Sequence, residues 1–241
     1  KGTNKRSALD IAVAFDSVGG ESNAETAREH TAYWARVRDA DLDMAIETLT
    51  DMVTDSRLDE EDFAMERGVI LDELAMGEDS PTDTVHDAFQ LAVHGDRPIG
   101  RPVGGTPQAI REVERADVWE HYQAHYGPSS LIVAAAGNVD HESVCERVQA
   151  ALEGSPWDGR SAASPRPRRS TTVTPISEHD KDITRRRDVT QAHVIIGCEG
   201  LSSTDSAGPT MSVLLSVLGG SMSSRLFQEV REKRGLAYTT Y

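Results

Sequence analysis

One stretch in the second half of this sequence has no hydrophobic periodicity and separates two patterned parts of the chain. It begins at Gly154, has the sequence GSPWDGRSAASPRPRRSTT, and is rich in Pro, Ser, Gly and Arg. Segments of this composition rarely pack into a core and typically connect folded units. Because patterned sequence lies on both sides, we predict a nearly complete first domain over residues 1–155, a linker over 156–175 and the start of a second domain over 176–241.

The first part of the chain alternates between helical and strand-like patterns. Apolar residues at helical spacing predict helices over residues 4–17, 41–54, 59–76, 81–93, 118–125 and 141–152. Residues 21–38 alternate loosely and predict a hairpin. The most continuous apolar run, SLIVAAAGNV at Ser130–Val139, predicts a buried strand.

Strand and helix patterns resume after the linker. Ala192–Cys198 predicts a strand and Ala207–Leu218 predicts a helix. This second part is too short to bury a full core, and it ends at Tyr241 within a strand-like pattern. We therefore expect an α+β fold of two related α/β units, both truncated.

Negative charge is concentrated in one segment. The formal net charge is −15, and residues 39–96 contain 18 acidic and two basic residues. Such a field disfavours nucleic acid, whose phosphates need Lys and Arg, and favours cationic ligands or peptides. A surface that serves only solubility is the other interpretation of the same pattern.

The cysteines and the apolar runs bear on the cellular location of the protein. Cys145 and Cys198 form no CxxC motif and are predicted to be buried free thiols. No apolar run approaches the ~20 residues that a membrane-spanning helix needs. We therefore expect no membrane span and a cytoplasmic location.

Two carboxylates seven residues apart form the first candidate constellation. Glu66 and Glu73 lie in ERGVILDE, and seven helical residues place them on one face, about 10 Å apart along the axis. Val69 and Ile70, between them, can face the interior. The pair could supply a metal ligand and its supporting partner, although two glutamates at this spacing are also expected by chance in so acidic a segment.

The second constellation lies near the end of the chain, in VREKRGLAY. Arg231 is predicted to end a helix, Gly235 to break it and Tyr238 to start a strand, so the two side chains can converge across the turn. An Arg and a Tyr hydroxyl can hold a peptide carbonyl or stabilise developing oxyanion charge. An exposed Arg beside a half-buried Tyr is the alternative.

A third pattern, His121 and His125, has the spacing of two zinc ligands on a helix. The Glu that an HExxH motif needs is replaced by Tyr122. We therefore interpret this pair as histidines of an ordinary helix surface.

Four stretches carry a resemblance to a known family. They are KGTNKR at Lys1, VGGESNAETAREHTAYWARV at Val18, ERGVILDELAM at Glu66, and LGGSMSSRLFQEVREKRGLAYTTY at Leu218. In this order and spacing, the chain resembles the pitrilysin/insulinase-type zinc peptidases, in the branch like the mitochondrial processing peptidase and its bacterial relatives. The resemblance implies a processing-peptidase-like fold.

The resemblance also implies roles for six residues. Glu73 matches the third zinc ligand of the family, and Glu66 matches its supporting carboxylate. Asn23 and Ala24 match the edge strand that pairs with substrate backbone. Arg231 and Tyr238 match the Arg/Tyr pair that the second domain contributes.

In that family the stretch immediately before KGT is an HxxEH motif, whose two histidines bind zinc and whose glutamate activates water. The resemblance thus implies a full-length zinc-dependent endopeptidase that cleaves extended or unfolded peptides. It would act as a homodimer or with a paired subunit. This chain begins after the motif and is expected to be inactive by itself.

Two other functions stay open at this point. A non-catalytic subunit of the same fold occurs in paired processing peptidases and among respiratory-complex core proteins. Such subunits commonly lose the acidic zinc-supporting residues, whereas both Glu66 and Glu73 are present here. A peptide-binding adaptor that uses the acidic face would need no metal.

Overall fold

A computed structural model describes residues 1–95, 97–159, 182–198, 200–202 and 204–241. These residues divide into two units, Lys1–His193 and Val194–Tyr241. Most of the described secondary structure is helical, and there is one small antiparallel sheet. The predicted α+β class is therefore confirmed. From residue 160 onward the predicted linker lies outside the described residues, so its extent stays a prediction.

Within its described residues the first unit contains seven α-helices and one β-hairpin. The hairpin consists of β1 (Glu21–Thr26) and β2 (Thr31–Arg36). The helices are α1 (Ala8–Asp16), α2 (Leu42–Thr54), α3 (Glu60–Asp79), α4 (Pro81–His94), α5 (Pro107–Glu112), α6 (Arg115–His125) and α7 (His141–Glu153). Short 3₁₀ turns occur at Asp39–Asp41, Pro98–Gly100 and Pro128–Ser130. No helix among the described residues has the length and apolar character needed to cross a bilayer.

The second unit contains α8 (Gly208–Gly219) and a π-helical turn at Phe227–Glu232. The Ser224 hydroxyl accepts a hydrogen bond from the Phe227 amide at 3.4 Å, as an N-cap does. Gly235 follows with φ of +60°, a conformation that glycine adopts without steric cost. The predicted helix end near Arg231 and the break at Gly235 are therefore confirmed.

The core of the first unit is built around α2, which packs against α7, β2 and α1. Phe15 of α1, Ala45 of α2 and Val144 of α7 are buried. The predicted hairpin and the helices over 41–54, 59–76, 81–93 and 141–152 are confirmed within a few residues at their ends.

A buried polar cluster ties the start of the chain to α2. The Thr3 hydroxyl donates to Asp51 at 2.7 Å and accepts from the Arg6 amide at 2.9 Å. The Arg6 guanidinium lies 2.8 Å from the same carboxylate. Thr3 and Asp51 are only 2% and 4% exposed. The stretch KGTNKR is thus held by tertiary contacts, and α1 begins only at Ala8, not at residue 4 as predicted.

Replacing Asp51 with Ala should lower the free energy of unfolding by about 3 kcal/mol, because it breaks a buried ion pair and leaves the buried Thr3 hydroxyl without its acceptor. Chemical denaturation followed by circular dichroism measures the loss. Glu47→Ala is the matched control, since Glu47 also contacts Arg6, at 2.7 Å, but its side chain is 61% exposed. It should cost less than about 1 kcal/mol. Equal losses in the two variants would contradict the buried cluster.

Two predicted strands are wrong. Neither Ser130–Val139 nor Ala192–Cys198 belongs to a strand, because no described segment pairs with either of them. Their backbones run without a ladder, and Ile132 and Ile196 are 90% and 92% exposed. An apolar run shows that a segment suits burial, but a strand also needs a neighbour.

Two further expectations need correction. The region around Tyr238 is not a strand, again for want of a partner among the described residues. Cys145 and Cys198 are free but exposed, since Cys145 lies on an open side of α7 and Cys198 on an unpaired segment. The short helix α5 is not among the predicted helices, although Thr106 caps it and Pro107 occupies its first position.

Candidate active site

The helix α3 carries both candidate carboxylates. It begins at Glu60 and has three acidic residues in its first turn. Negative side chains at this position interact favourably with the positive end of the helix dipole. Glu66 and Glu73 lie in this uninterrupted helix, about two turns apart. The predicted helical placement of the pair is confirmed, while the roles of the two residues stay predictions.

The face of α3 that carries these glutamates is open. Met65, Val69 and Met76 are exposed, and their spacing places them on the same side as Glu73. The expectation that Val69 faces the interior is therefore wrong. The helix packs against α4 and α5, and the open face combines apolar side chains with two carboxylates.

The two glutamates differ in their partners. The Lys1 ammonium lies 2.8 Å from the Glu66 carboxylate, and this hydrogen bond raises the pKa of Lys1. Glu73 is exposed and has no hydrogen bond or ion pair within the described part of the chain. Its carboxylate oxygens are available to an external partner, while Glu66 holds the first residue of the chain beside α3.

The residues Asn23 and Ala24 lie on β1, which is exposed along its whole length. Ala24 faces Tyr33 across the hairpin, and the Ala27 amide donates to the His30 carbonyl at 2.8 Å. Because hydrogen-bonded pairs alternate along an antiparallel ladder, the Ala24 amide points away from β2. The Asn23 side-chain oxygen accepts this amide at 2.8 Å. Nothing in the described chain covers this edge of β1.

The side chains of Arg231 and Tyr238 meet across the turn at Gly235, as predicted. The guanidinium carbon lies 5.3 Å from the Tyr238 ring centroid and 4.7 Å from that of Phe227. Contact with the two ring faces orients the guanidinium, and its Nε lies 3.8 Å from the Glu232 carboxylate. Tyr238 is 78% exposed, so this stack lies at the surface of the second unit. Phe227, four residues before Arg231, was not singled out from sequence.

The histidine pair lies on the exposed side of α6. The His121 and His125 rings are 4.2 Å apart, and both residues are exposed. Within the described ranges, no group of three or more His, Cys, Asp or Glu side chains is placed to hold a metal ion. The interpretation of the pair as ordinary surface histidines stays a prediction.

Three tyrosines that the sequence analysis did not single out form a cluster between β2 and α6. The Tyr33 and Tyr126 hydroxyls lie 3.3 Å apart, and the Tyr122 and Tyr126 rings are 4.9 Å apart. Burial, and then the hydrogen bond to Tyr126, raise the pKa of Tyr33. Tyr122 lies on α6, and Tyr126 is the residue that directly follows this helix, four positions later, a spacing that places the two rings on the same side.

Comparison with known families gives two matches in succession along the chain. Residues 1–107 match the model described as Insulinase (Peptidase family M16), and residues 112–241 match the Peptidase M16 inactive domain. An uncharacterized zinc protease of Streptomyces coelicolor is 51% identical over 242 residues, covering 100% of this chain and 52% of that protein. An uncharacterized zinc protease of Bacillus subtilis is 36% identical, covering 100% and 56% respectively. The chain spans about half the length of these curated relatives.

Solved structures agree on the fold. A protease from Helicobacter pylori has a TM-score of 0.77 at 20% identity, covering 99% of this chain and 57% of that chain. A peptidase M16 inactive domain from Pseudomonas fluorescens has a TM-score of 0.73 at 17% identity, covering 100% and 57%. At these identities the likeness concerns the fold alone. Since family models match residues 1–107 and 112–241 in turn, the chain belongs to peptidase family M16, the family of pitrilysin and insulinase.

Proposed function

We propose that the full-length protein is a zinc-dependent endopeptidase that cleaves extended or unfolded peptides. The observation that carries this proposal is the open face of α3, where Glu73 has no described partner and Glu66 holds Lys1 at 2.8 Å. Residues that precede Lys1 in a longer chain would enter beside Glu66. A metal-binding motif encoded there would lie next to the free carboxylate of Glu73.

Glu73 fits a zinc ligand because it is an accessible, unpaired carboxylate on a rigid helix. One carboxylate does not make a site, so the remaining ligands would come from an HxxEH motif before Lys1. Glu66, two turns away, would orient a ligand from outside the coordination sphere. When bound, zinc supplies Lewis acidity that polarises a peptide carbonyl and activates water.

The other candidate residues would bind the peptide main chain. The edge of β1 presents the Ala24 amide outward, and an extended peptide can add to such an edge as a further strand. The Asn23 side chain, which now accepts that amide, would lie beside the added strand. In the second unit, Arg231 and Tyr238 would hold a peptide carbonyl or a terminal carboxylate. Backbone pairing of this kind suits extended or unfolded substrates.

Metal removal tests the proposal. The full-length protein should cleave an unstructured peptide, lose this activity when a chelator removes zinc, and regain it when stoichiometric zinc is restored. The 241-residue chain alone should neither cleave the peptide nor bind zinc tightly. A zinc-loaded full-length protein without cleavage would instead support the non-catalytic subunit. Tight stoichiometric zinc on the short chain would point back to its histidines.

The same family resemblance suggests the assembly of the protein. We propose that it acts as a homodimer or with a paired subunit, and that it is located in the cytoplasm. Light scattering of the purified full-length protein distinguishes these assemblies from a monomer.

A further inference from the structure

A cavity of about 430 Å³ opens in the first unit beside the C-terminal end of α2. Its walls come from the loop between α2 and α3, from one side of α6, and from Asn4 and Pro156. The volume falls in the range of small-molecule sites, ~300–1,000 Å³. The family resemblance assigned no role to any residue of this cavity.

The charged lining of the cavity is net negative. Asp55, the residue that follows α2, accepts the Asn4 side-chain amide at 2.6 Å and has no ion pair among the described residues. Asp59 is already paired with Arg57 at 3.0 Å. Two carboxylates therefore face one guanidinium, and the carbonyl end of α2 adds partial negative charge. Asp55 carries the uncompensated charge of this lining.

Aromatic rings supply the remaining walls. The Tyr122 hydroxyl donates to the Val53 carbonyl at 2.8 Å, and the Tyr126 hydroxyl lies 3.3 Å from that of Tyr33. Because these hydroxyls are engaged, Tyr122 and Tyr126 contribute mainly ring surface to the cavity. Ring faces attract cations, and they also pack against methylene chains.

One cation of the chain itself already packs on an aromatic ring beside the cavity. The Arg115 guanidinium lies 5.2 Å from the Trp119 ring centroid, and its Nε donates to the Leu58 carbonyl at 2.6 Å. Trp119 also lines the cavity. The same guanidinium also donates to the Arg57 carbonyl at 3.3 Å. A cation held by an aromatic ring and oxygen acceptors is thus the pattern that a second cation would repeat over Tyr122, Tyr126 and Asp55.

We propose that this cavity binds an alkyl ammonium or guanidinium group. The charged group meets the Asp55 carboxylate, and the alkyl chain that carries it lies on the two tyrosine rings. A basic side chain of a peptide and a free polyamine share this chemistry. The proposal does not rest on the proposed function, because it needs neither zinc nor peptide cleavage.

Three small probes that lack the extended backbone of a peptide substrate test the site in the full-length protein. They are N-acetyl-arginine methylamide, its neutral isostere N-acetyl-citrulline methylamide, and spermidine. Calorimetry should show that the arginine probe binds about tenfold or more tightly than the citrulline probe, since a charge-assisted hydrogen bond distinguishes them. Binding of only the arginine probe identifies a side-chain site, whereas binding of only spermidine identifies a polyamine site.

Two variants and one control locate the binding. Asp55→Asn keeps the acceptor for Asn4, removes the charge and should weaken the cationic probes about tenfold or more. Gln123→Arg places a cation on the exposed rim of the cavity and should have the same effect without altering Asp55. Asp87→Asn removes the same charge from an exposed position on α4 and should change nothing. Equal binding of arginine and citrulline probes, or equal losses in Asp55→Asn and Asp87→Asn, would overturn the proposal.

Discussion

Glu73→Gln in the full-length protein is expected to reduce peptide cleavage more than about 100-fold and to lower zinc content in parallel, since even outer-shell changes cost 10–100-fold in metal affinity. Glutamine preserves the size of the side chain but removes the negative charge that a zinc ligand supplies. Because Glu73 has no hydrogen bond or ion pair within the described residues, the substitution removes no described polar interaction. The unfolding transition should therefore stay at its wild-type position while metal and activity are lost.

Glu61→Gln is the matched control for this experiment. Glu61 lies on the same helix, is exposed, and is displaced from Glu73 by more than three turns along the axis and about 120° around it. Metal analysis by mass spectrometry and cleavage of an unstructured peptide are the two measurements. Wild-type zinc content and wild-type cleavage in the Glu73→Gln protein would show that Glu73 is not a ligand.

Arg231→Ala should reduce kcat/KM about 100-fold, the size of effect seen when a preorganised donor to developing charge is removed. Zinc content should not change, because the stack of Arg231 with Phe227 and Tyr238 contains no proposed metal ligand. Arg231→Lys should recover little of the loss, since an ammonium lacks the planar fork that lies between two rings. Steady-state kinetics on one extended peptide measure all of these effects.

Arg234→Ala is the corresponding control, an exposed arginine three residues further along the same segment. It should change kcat/KM less than about threefold, as is usual for surface substitutions outside a site. If Arg231→Ala and Arg234→Ala behave alike, the aromatic stack is only structural. Circular dichroism of both variants checks that the turn at Gly235 still forms.

Most of the helices could be predicted because each has a local signature. The apolar spacing in residues 41–54 alone indicates α2, and Asp140 before α7 caps it as its sequence suggests. Gly235 predicts the turn that brings Arg231 to Tyr238. Each of these signals depends on neighbours within a few residues. Such local signals do not depend on contacts with distant parts of the chain.

Strands could not be predicted with the same success, because pairing is a long-range property. The hairpin of β1 and β2 was found since its partners are adjacent in sequence. The run SLIVAAAGNV carries the apolar residues of a buried strand, yet it has no ladder partner among the described residues. Sequence pattern identifies a candidate for pairing, and topology decides whether pairing occurs.

The contacts that position the candidate residues could not be predicted from local sequence patterns either. Lys1 meets Glu66 and Thr3 meets Asp51 over 65 and 48 positions of sequence. Neither pair has a spacing rule that would identify it. The family resemblance identified KGTNKR as a motif but gave no structural role for it. The structure shows that Thr3 and Arg6 of this motif contact the buried Asp51.

The π-helical turn at Phe227–Glu232 holds one residue more than an α-helical turn would. Deleting one residue there would let the turn convert to α-helical bonding, whereas an added residue has no such alternative. Arg231 lies within this turn, and its contacts with the Phe227 and Tyr238 rings depend on the local spacing. A change in chain length at this turn therefore acts directly on the position of the Arg231 side chain, and an insertion should displace it more than a deletion.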